Sequence, residues 1–162
     1  MIKYRLKRLL KRDVSFRPIT QDDMKYLWAA YRSDAFPVLP EDLNQNDFDT
    51  AIHDILNHMS EVFILESETK RGKMPIGVVT TLVTSRTEPQ VDWFPWASNR
   101  NKLEAAAYFL KKMQKRPMLI WANDDTLKFY TRIAQYGALR RIGKACKFVD
   151  GKDVMLFQTR SD

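Results

Sequence analysis

The stretch PMLIWAN, residues 117–123, constrains the fold more than any other part of the chain. Its apolar core, Met118 to Ala122, is too short for a buried helix and lacks the alternation of a half-exposed strand. Such a run reads as a central strand buried on both faces. A strand of that kind needs covering layers, and helical periodicity flanks it on both sides. Before it, Leu103, Ala106, Ala107 and Leu110 repeat at helical spacing, with Ala105–Ala107 raising helix propensity. After it, Leu127, Tyr130, Ile133 and Ala134 do the same, with Gly137 placed as a C-cap.

The rest of the chain extends this pattern. VSFRPI (14–19) reads as a strand, followed by a helix carrying Met24, Leu27, Trp28 and Tyr31 on one face. Thr20 and Asp23 stand at capping-box spacing, with Asp in place of the usual Glu or Gln. A second helix is expected from Asp47 to Met59, with Phe48, Ile52, Ile55 and Leu56 as its apolar stripe. EVFILES (61–67) and PIGVVTTLVTS (75–85) form a predicted hairpin. PQVDWFPW (89–96) is the next strand, and Pro95 implies a bulge, an edge or a strand end. Two last strands, LRRIGKACKFV and DVMLFQTR, meet at Asp150-Gly151, a strong hairpin signal. The order is β-α-α-β-β-β-α-β-α-β-β, an α/β fold with a mixed central sheet of six to seven strands and helices on both faces.

Composition narrows the function classes. The 162 residues fit one domain, and 44% hydrophobic content supports a real core. We divide the chain into a basic arm, 1–13, and a single domain, 14–162. One cysteine permits no internal disulfide, which suits a reducing compartment, and Cys146 reads as a passive strand residue. With only His53 and His58 besides, five apart and off a common helical face, no metal site is expected. No segment has the length and apolarity of a membrane span or a secretory signal, so a cytoplasmic location is expected. The net charge of +7 is concentrated in the first segment, where Lys3, Arg5, Lys7, Arg8, Lys11 and Arg12 face one acid, Asp13. That arm reads as a solvated face or a docking site for an acidic protein or nucleic acid. A nucleic-acid-binding domain would need stacking aromatics beside it, and only Tyr4 is there.

The element order resembles the GNAT acetyltransferase superfamily from Val14 to Gln158. FRPITQDD is similar to the opening strand-to-helix signature of that family, carried here by Arg17, Thr20 and Asp23. WANDDTLKFYTRIAQYG resembles its asparagine-to-tyrosine signature: Asn123 and Tyr130 keep the spacing, with Thr126 and Phe129 between them. Gly137 falls seven residues after Tyr130, later than the family places it. The pyrophosphate loop of the family falls at WASNRNK, which has no glycine.

The resemblance implies acetyl transfer from acetyl-CoA to an amine, with the strands near 91–96 and 118–123 side by side and splayed at one end. It implies cofactor contacts from Trp96, Ala97, Ser98, Asn99, Arg100, Asn101, Lys102 and Asn123. Helix-start N–H groups and the cations Arg100 and Lys102 would compensate for the missing glycines. It places Tyr130 as the acid that protonates the departing thiolate, and backbone N–H groups near Phe94 to Trp96 at the thioester carbonyl. Asp92, alternating with Val91 and Trp93, is the expected base, and Glu88 is the second choice. Trp93, Phe94 and Trp96 read as an acceptor groove or as core. Glycine-poor loops also resemble GNAT-like proteins of tailed phages. That resemblance implies a non-catalytic virion or host-interaction role as the alternative, with the host cytoplasm or the virion as its place.

Overall fold

The computed structural model describes residues 13–33, 36, 39–59, 61–81, 90–112 and 119–159. Most of the basic arm, residues 1–12, lies outside these, as does Glu88. The chain begins with β1 (Val14–Pro18), a single turn of 3₁₀ helix at Gln21–Asp23, and α1 (Met24–Tyr31). Then come α2 (Gln45–Asn57), β2 (Glu61–Thr69), β3 (Gly72–Thr81) and β4 (Gln90–Trp93). The second half is α3 (Asn99–Lys112), β5 (Leu119–Ala122), α4 (Leu127–Gln135), β6 (Leu139–Val149) and β7 (Lys152–Thr159). This is the order expected from the sequence.

Local chemistry sets the element ends. α2 starts two residues before the expected Asp47 because Asn44 caps it: its Oδ1 accepts the Asp47 N–H at 2.8 Å, and its Nδ2 donates to the Asp47 carboxylate at 2.9 Å. The β6–β7 hairpin closes at Asp150 and Gly151, both at positive φ (49° and 72°), the pair a tight two-residue turn requires. β4 stops at Trp93, just before exposed Pro95, so the proline marks a strand end.

β1–β2–β3–β4 form one antiparallel sheet, and β5–β7–β6 a second. Helices cover the first sheet on both faces. Ile64 and Val78 pack with Met24, Leu27 and Ala30 of α1 and with Phe48 and Ile52 of α2. On the opposite face, Val14, Leu65 and Val79 pack with Ala105 and Phe109 of α3. Ala106, Ala107 and Leu110 of α3 instead meet Ile120, Ile133, Leu139 and Phe157 of the second unit. The alanine run thus lets one helix serve two sheets.

Two expectations are corrected. The strands at 91–96 and 118–123 are not paired in one ladder: β4 ends one sheet, β5 ends the other, and they line a common cavity. β5 is also not central. Leu119 is 40% exposed, β5 pairs only with β7 among the described strands, and it borders the cavity. Over its described part, Leu119–Ala122, the apolar run is explained by the cavity wall as much as by the core, since Ile120 and Trp121 both line that cavity.

Candidate active site

Between β4 and β5 lies a cavity of about 550 Å³, in the range of small-molecule sites. Val91 and Trp93 of β4 and Ile120 and Trp121 of β5 form two walls, while α3 and α4 close it from behind. α4 contributes Phe129, Tyr130 and Ile133, preceded by Asp125 and Thr126. Of the residues expected at the site, Tyr130 lines this cavity. Its ring packs on Phe157 of β7, with centroids 6.2 Å apart. Asn123 opens the turn that leads into α4, whose N-cap is Thr126: Asn123 Oδ1 accepts the Thr126 N–H and hydroxyl, each at 3.0 Å. The spacing that marked Asn123 and Tyr130 is therefore that of a helix start and a side chain aimed into the cavity.

The wall at Trp93 depends on Gly77, which sequence reasoning passed over. The Phe94 N–H donates to the Ile76 carbonyl at 2.9 Å, so Trp93 and Gly77 form a non-hydrogen-bonded pair, where side chains approach most closely. A Cβ at Gly77 would lie 3.0 Å from the Trp93 ring and 3.1 Å from the Asp92 carbonyl oxygen. The indole lies across the bare glycine and meets Phe129 edge to face at 6.4 Å. The same alternation turns the backbone N–H and C=O of Val91 and Trp93 toward the edge of β4 that no other described strand pairs with. Those groups would suit the amide-bearing arm of coenzyme A. The Phe94 N–H is already taken and Pro95 has none, which leaves the Trp96 N–H from the stretch expected to serve a thioester carbonyl.

Asp92 points the other way. It lies opposite Val78, whose side chain belongs to the α1–α2 cluster, so its carboxyl is on the face away from the cavity. Burial pushes this carboxyl above its ordinary value. Asp92 and Tyr130 therefore flank the edge of β4 from opposite sides.

The residues expected at a phosphate, Trp96 to Lys102, form the β4–α3 connection and the first turn of α3, and none of them lines the cavity. The Trp96 indole N–H donates to the Pro75 carbonyl at 2.7 Å, fastening the connection to β3. Ala97 is buried against the first sheet. Ser98 caps α3, its Oγ accepting the Asn101 N–H at 3.1 Å and its carbonyl the Lys102 N–H at 2.9 Å. The backbone N–H groups of Asn99 and Arg100 have no acceptor among the described residues, which is what an anion at this helix start requires. The Arg100 guanidinium is engaged: its Nε donates to Glu104 at 2.9 Å, one turn along α3. The spacing of Arg100 and Glu104 was a readable signal for that pair.

The other signature proves to be a structural joint. Arg17 of β1 grips Asp23 with two hydrogen bonds, at 2.8 and 2.7 Å, and its Nε lies 3.3 Å from Glu66 of β2. Asp23, only 1% exposed, also accepts the Thr20 N–H at 2.8 Å. Burial alone would raise the Asp23 carboxyl, but the Arg17 hydrogen bonds, the Thr20 N–H and the Arg17 charge outweigh it and hold it below its usual value. Glu66 gave no sign in the sequence of joining this pair. No group of three or more His, Cys, Asp or Glu residues suited to a metal ion occurs among the described residues. No described helix is long and apolar enough to cross a membrane.

No protein-family model and no curated protein matches the chain. Solved structures do. A spermidine N-acetyltransferase from Vibrio cholerae, in complex with CoA and spermine, superposes with a TM-score of 0.58 at 12% identity, covering 90% of this chain and 94% of that one. A ribosomal-protein-S5-alanine acetyltransferase from Vibrio fischeri gives 0.53 at 13% identity, covering 93% and 94%. An aminoglycoside N(6′)-acetyltransferase from Legionella pneumophila gives 0.55 at 10% identity, covering 91% and 92%. At these identities the likeness is one of fold, and the chain has the α/β fold of the GNAT acetyltransferases over about nine-tenths of its length.

Proposed function

We propose that the protein is an N-acyltransferase that takes an acyl group from a coenzyme A thioester and passes it to an amine, with acetyl-CoA the donor implied by the resemblance. The observation that carries this is the cavity between the edges of β4 and β5, with Tyr130 in its wall. The fit is physical. The open edge of β4 offers backbone partners for amides, the cavity walls are apolar and aromatic, and the start of α3 keeps two N–H groups unused. Bound there, the thioester supplies an acyl carbon already activated toward an amine.

This chain's residues would do the rest. Tyr130 holds the proton that the leaving sulfur needs. Asp92 takes the proton from the amine, directly or through water, from the α1–α2 face of β4. Its raised pKa makes it a stronger base than an exposed aspartate. Asn99, Arg100 and Asn101, with Lys102, would hold the phosphates, and Ser98 and Asn123 fix the starts of α3 and α4. Trp96 and Ala97 anchor the loop between. The partners are then a coenzyme A thioester and an amine. A cytoplasmic location and one domain over 14–162 belong to the same reading, as does docking of an acidic protein or nucleic acid on the basic arm.

The rival is a non-catalytic protein on the same fold, such as a phage virion component. The engagement of Arg100 by Glu104 favours it. Release of free thiol from acetyl-CoA in the presence of an amine panel separates the two. Amine-dependent release supports the enzyme. Binding without release, or no binding, supports the rival.

A further inference from the structure

The last hairpin carries a strand edge that the proposed chemistry does not use. In the sheet β5–β7–β6, β6 pairs with β7 alone among the described strands. Its register on β7 slips twice, passing over Ile142 and then over Cys146, Lys147 and Phe148. Bulges of this kind turn side chains out of the regular ladder. Ile142 is 44% and Phe148 55% exposed, more than any other large apolar residue among those described. The second bulge is built rather than frayed. Lys147 sits at φ 50°, its N–H donates to Asp153 Oδ1 at 3.0 Å, and Lys144 Nζ holds the other carboxylate oxygen at 2.9 Å.

Arg140, Arg141, Lys144 and Lys147 are exposed along the same strand, which has no acidic residue. Of the four, only Lys144 has a carboxylate partner among the described residues. Arg140 donates to the Gln158 side-chain oxygen and Arg141 to the Met155 sulfur. Cations alone are an ordinary means of keeping an edge strand from pairing. Two large apolar side chains turned to solvent work against that purpose.

We propose that β6 docks an extended, acidic segment of another protein, which sets carboxylates on Arg140, Arg141 and Lys147 and apolar side chains against Ile142 and Phe148. Charge complementarity selects this occupant. A second copy laid along β6 would set these cations among their own kind, and like charges across a strand pair destabilise it. A lipid surface would meet the exposed carboxylates of Asp150, two residues beyond Phe148, and Asp153. From Arg140 to Phe148 the edge spans at most about 26 Å, room for a segment of about eight residues. Docking there requires nothing of the acyltransferase chemistry.

Fluorescence anisotropy of the full chain with labelled peptides of about eight residues, alternating Glu with Leu or Phe, tests this. Peptides with Gln for Glu, or Ser for the apolar residues, are the controls. The acidic-apolar peptides are expected to bind, and both controls to bind roughly tenfold more weakly. Ile142→Ser and Phe148→Ser should each weaken binding severalfold, and Arg140→Glu with Lys147→Glu should abolish it, with melting temperatures unchanged. Cys146, the one cysteine of the chain, is exposed between the two apolar residues, so its alkylation by a maleimide should slow when peptide is bound. Absence of binding, or binding that neither the controls nor the variants weaken, overturns the proposal. A concentration-dependent dimer in sedimentation that Ile142→Ser and Phe148→Ser dissolve overturns it in favour of a second copy. Binding to phosphatidylserine vesicles or single-stranded DNA, with the peptides unbound, overturns it in favour of those.

Discussion

Tyr130 and Asp92 divide the proposed chemistry between two faces of β4, and each makes a different prediction. Tyr130→Phe keeps the ring packed on Phe157 and removes only the hydroxyl. Turnover should fall about 10²–10⁴-fold, the usual effect of a lost general acid, with thioester affinity and melting temperature nearly unchanged. Steady-state rates and calorimetry on the same preparation check this, and an unaltered rate removes Tyr130 from the mechanism. Asp92 behaves in the opposite sense for stability. Its folded pKa is raised, so the native state binds its proton more tightly than the unfolded chain does, and this residue's contribution to stability falls as pH rises through that window. At neutral pH its buried charge is a cost. Asp92→Asn should therefore stabilise the fold by roughly 0.5–2 kcal/mol in denaturant titrations while abolishing turnover. A destabilised variant would show that Asp92 has a structural partner instead.

Elements are held in place by contacts that the sequence discloses unevenly. The Arg17–Asp23 pair ties β1 to the start of α1, and Asp23→Ala should cost about 3 kcal/mol, near the lower end for a broken buried pair because Arg17 is 35% exposed. Since the folded Asp23 pKa lies below its ordinary 3.8, the pair stabilises fully above about pH 4 and its contribution is lost as pH falls through the folded value. Asp23→Asn should flatten that acid limb of the stability profile. At β3, Gly77→Ala would press a methyl group against the Trp93 ring, costing about 1–3 kcal/mol of stability and weakening thioester binding together. At α3, a phosphate on Arg100 must compete with Glu104. Glu104→Gln should then tighten coenzyme A binding severalfold, and unchanged affinity would take Arg100 out of the site. The spacing of Asn123 and Tyr130 was readable because a helix start fixes it. That Arg100 is already paired was readable too, from Glu104 four residues on. Gly77 was not, because its partner is 16 residues away and the register alone brings them together.

Across the whole molecule, the order of elements was legible because hydrophobic periodicity and turn chemistry are local. Val149-Asp150-Gly151-Lys152 closes a hairpin in any context, and Leu103 to Leu110 makes an amphipathic helix wherever it is placed. The division into two sheets was not legible. An apolar strand such as Leu119–Ala122 reads as central, yet it pairs with only one described strand and borders a cavity, and nothing local distinguishes a neighbouring strand from a ligand. The central claim is that this cavity holds a coenzyme A thioester, and thermal unfolding with and without acetyl-CoA tests it most directly. At a concentration one hundred times the dissociation constant, binding to the native state adds about 2.7 kcal/mol. For a chain of this size that raises the melting temperature by about 5–10 °C. A rise that grows with ligand concentration and is matched by coenzyme A is the predicted result; a melting temperature unmoved by millimolar acetyl-CoA, in protein shown to be folded, would contradict it.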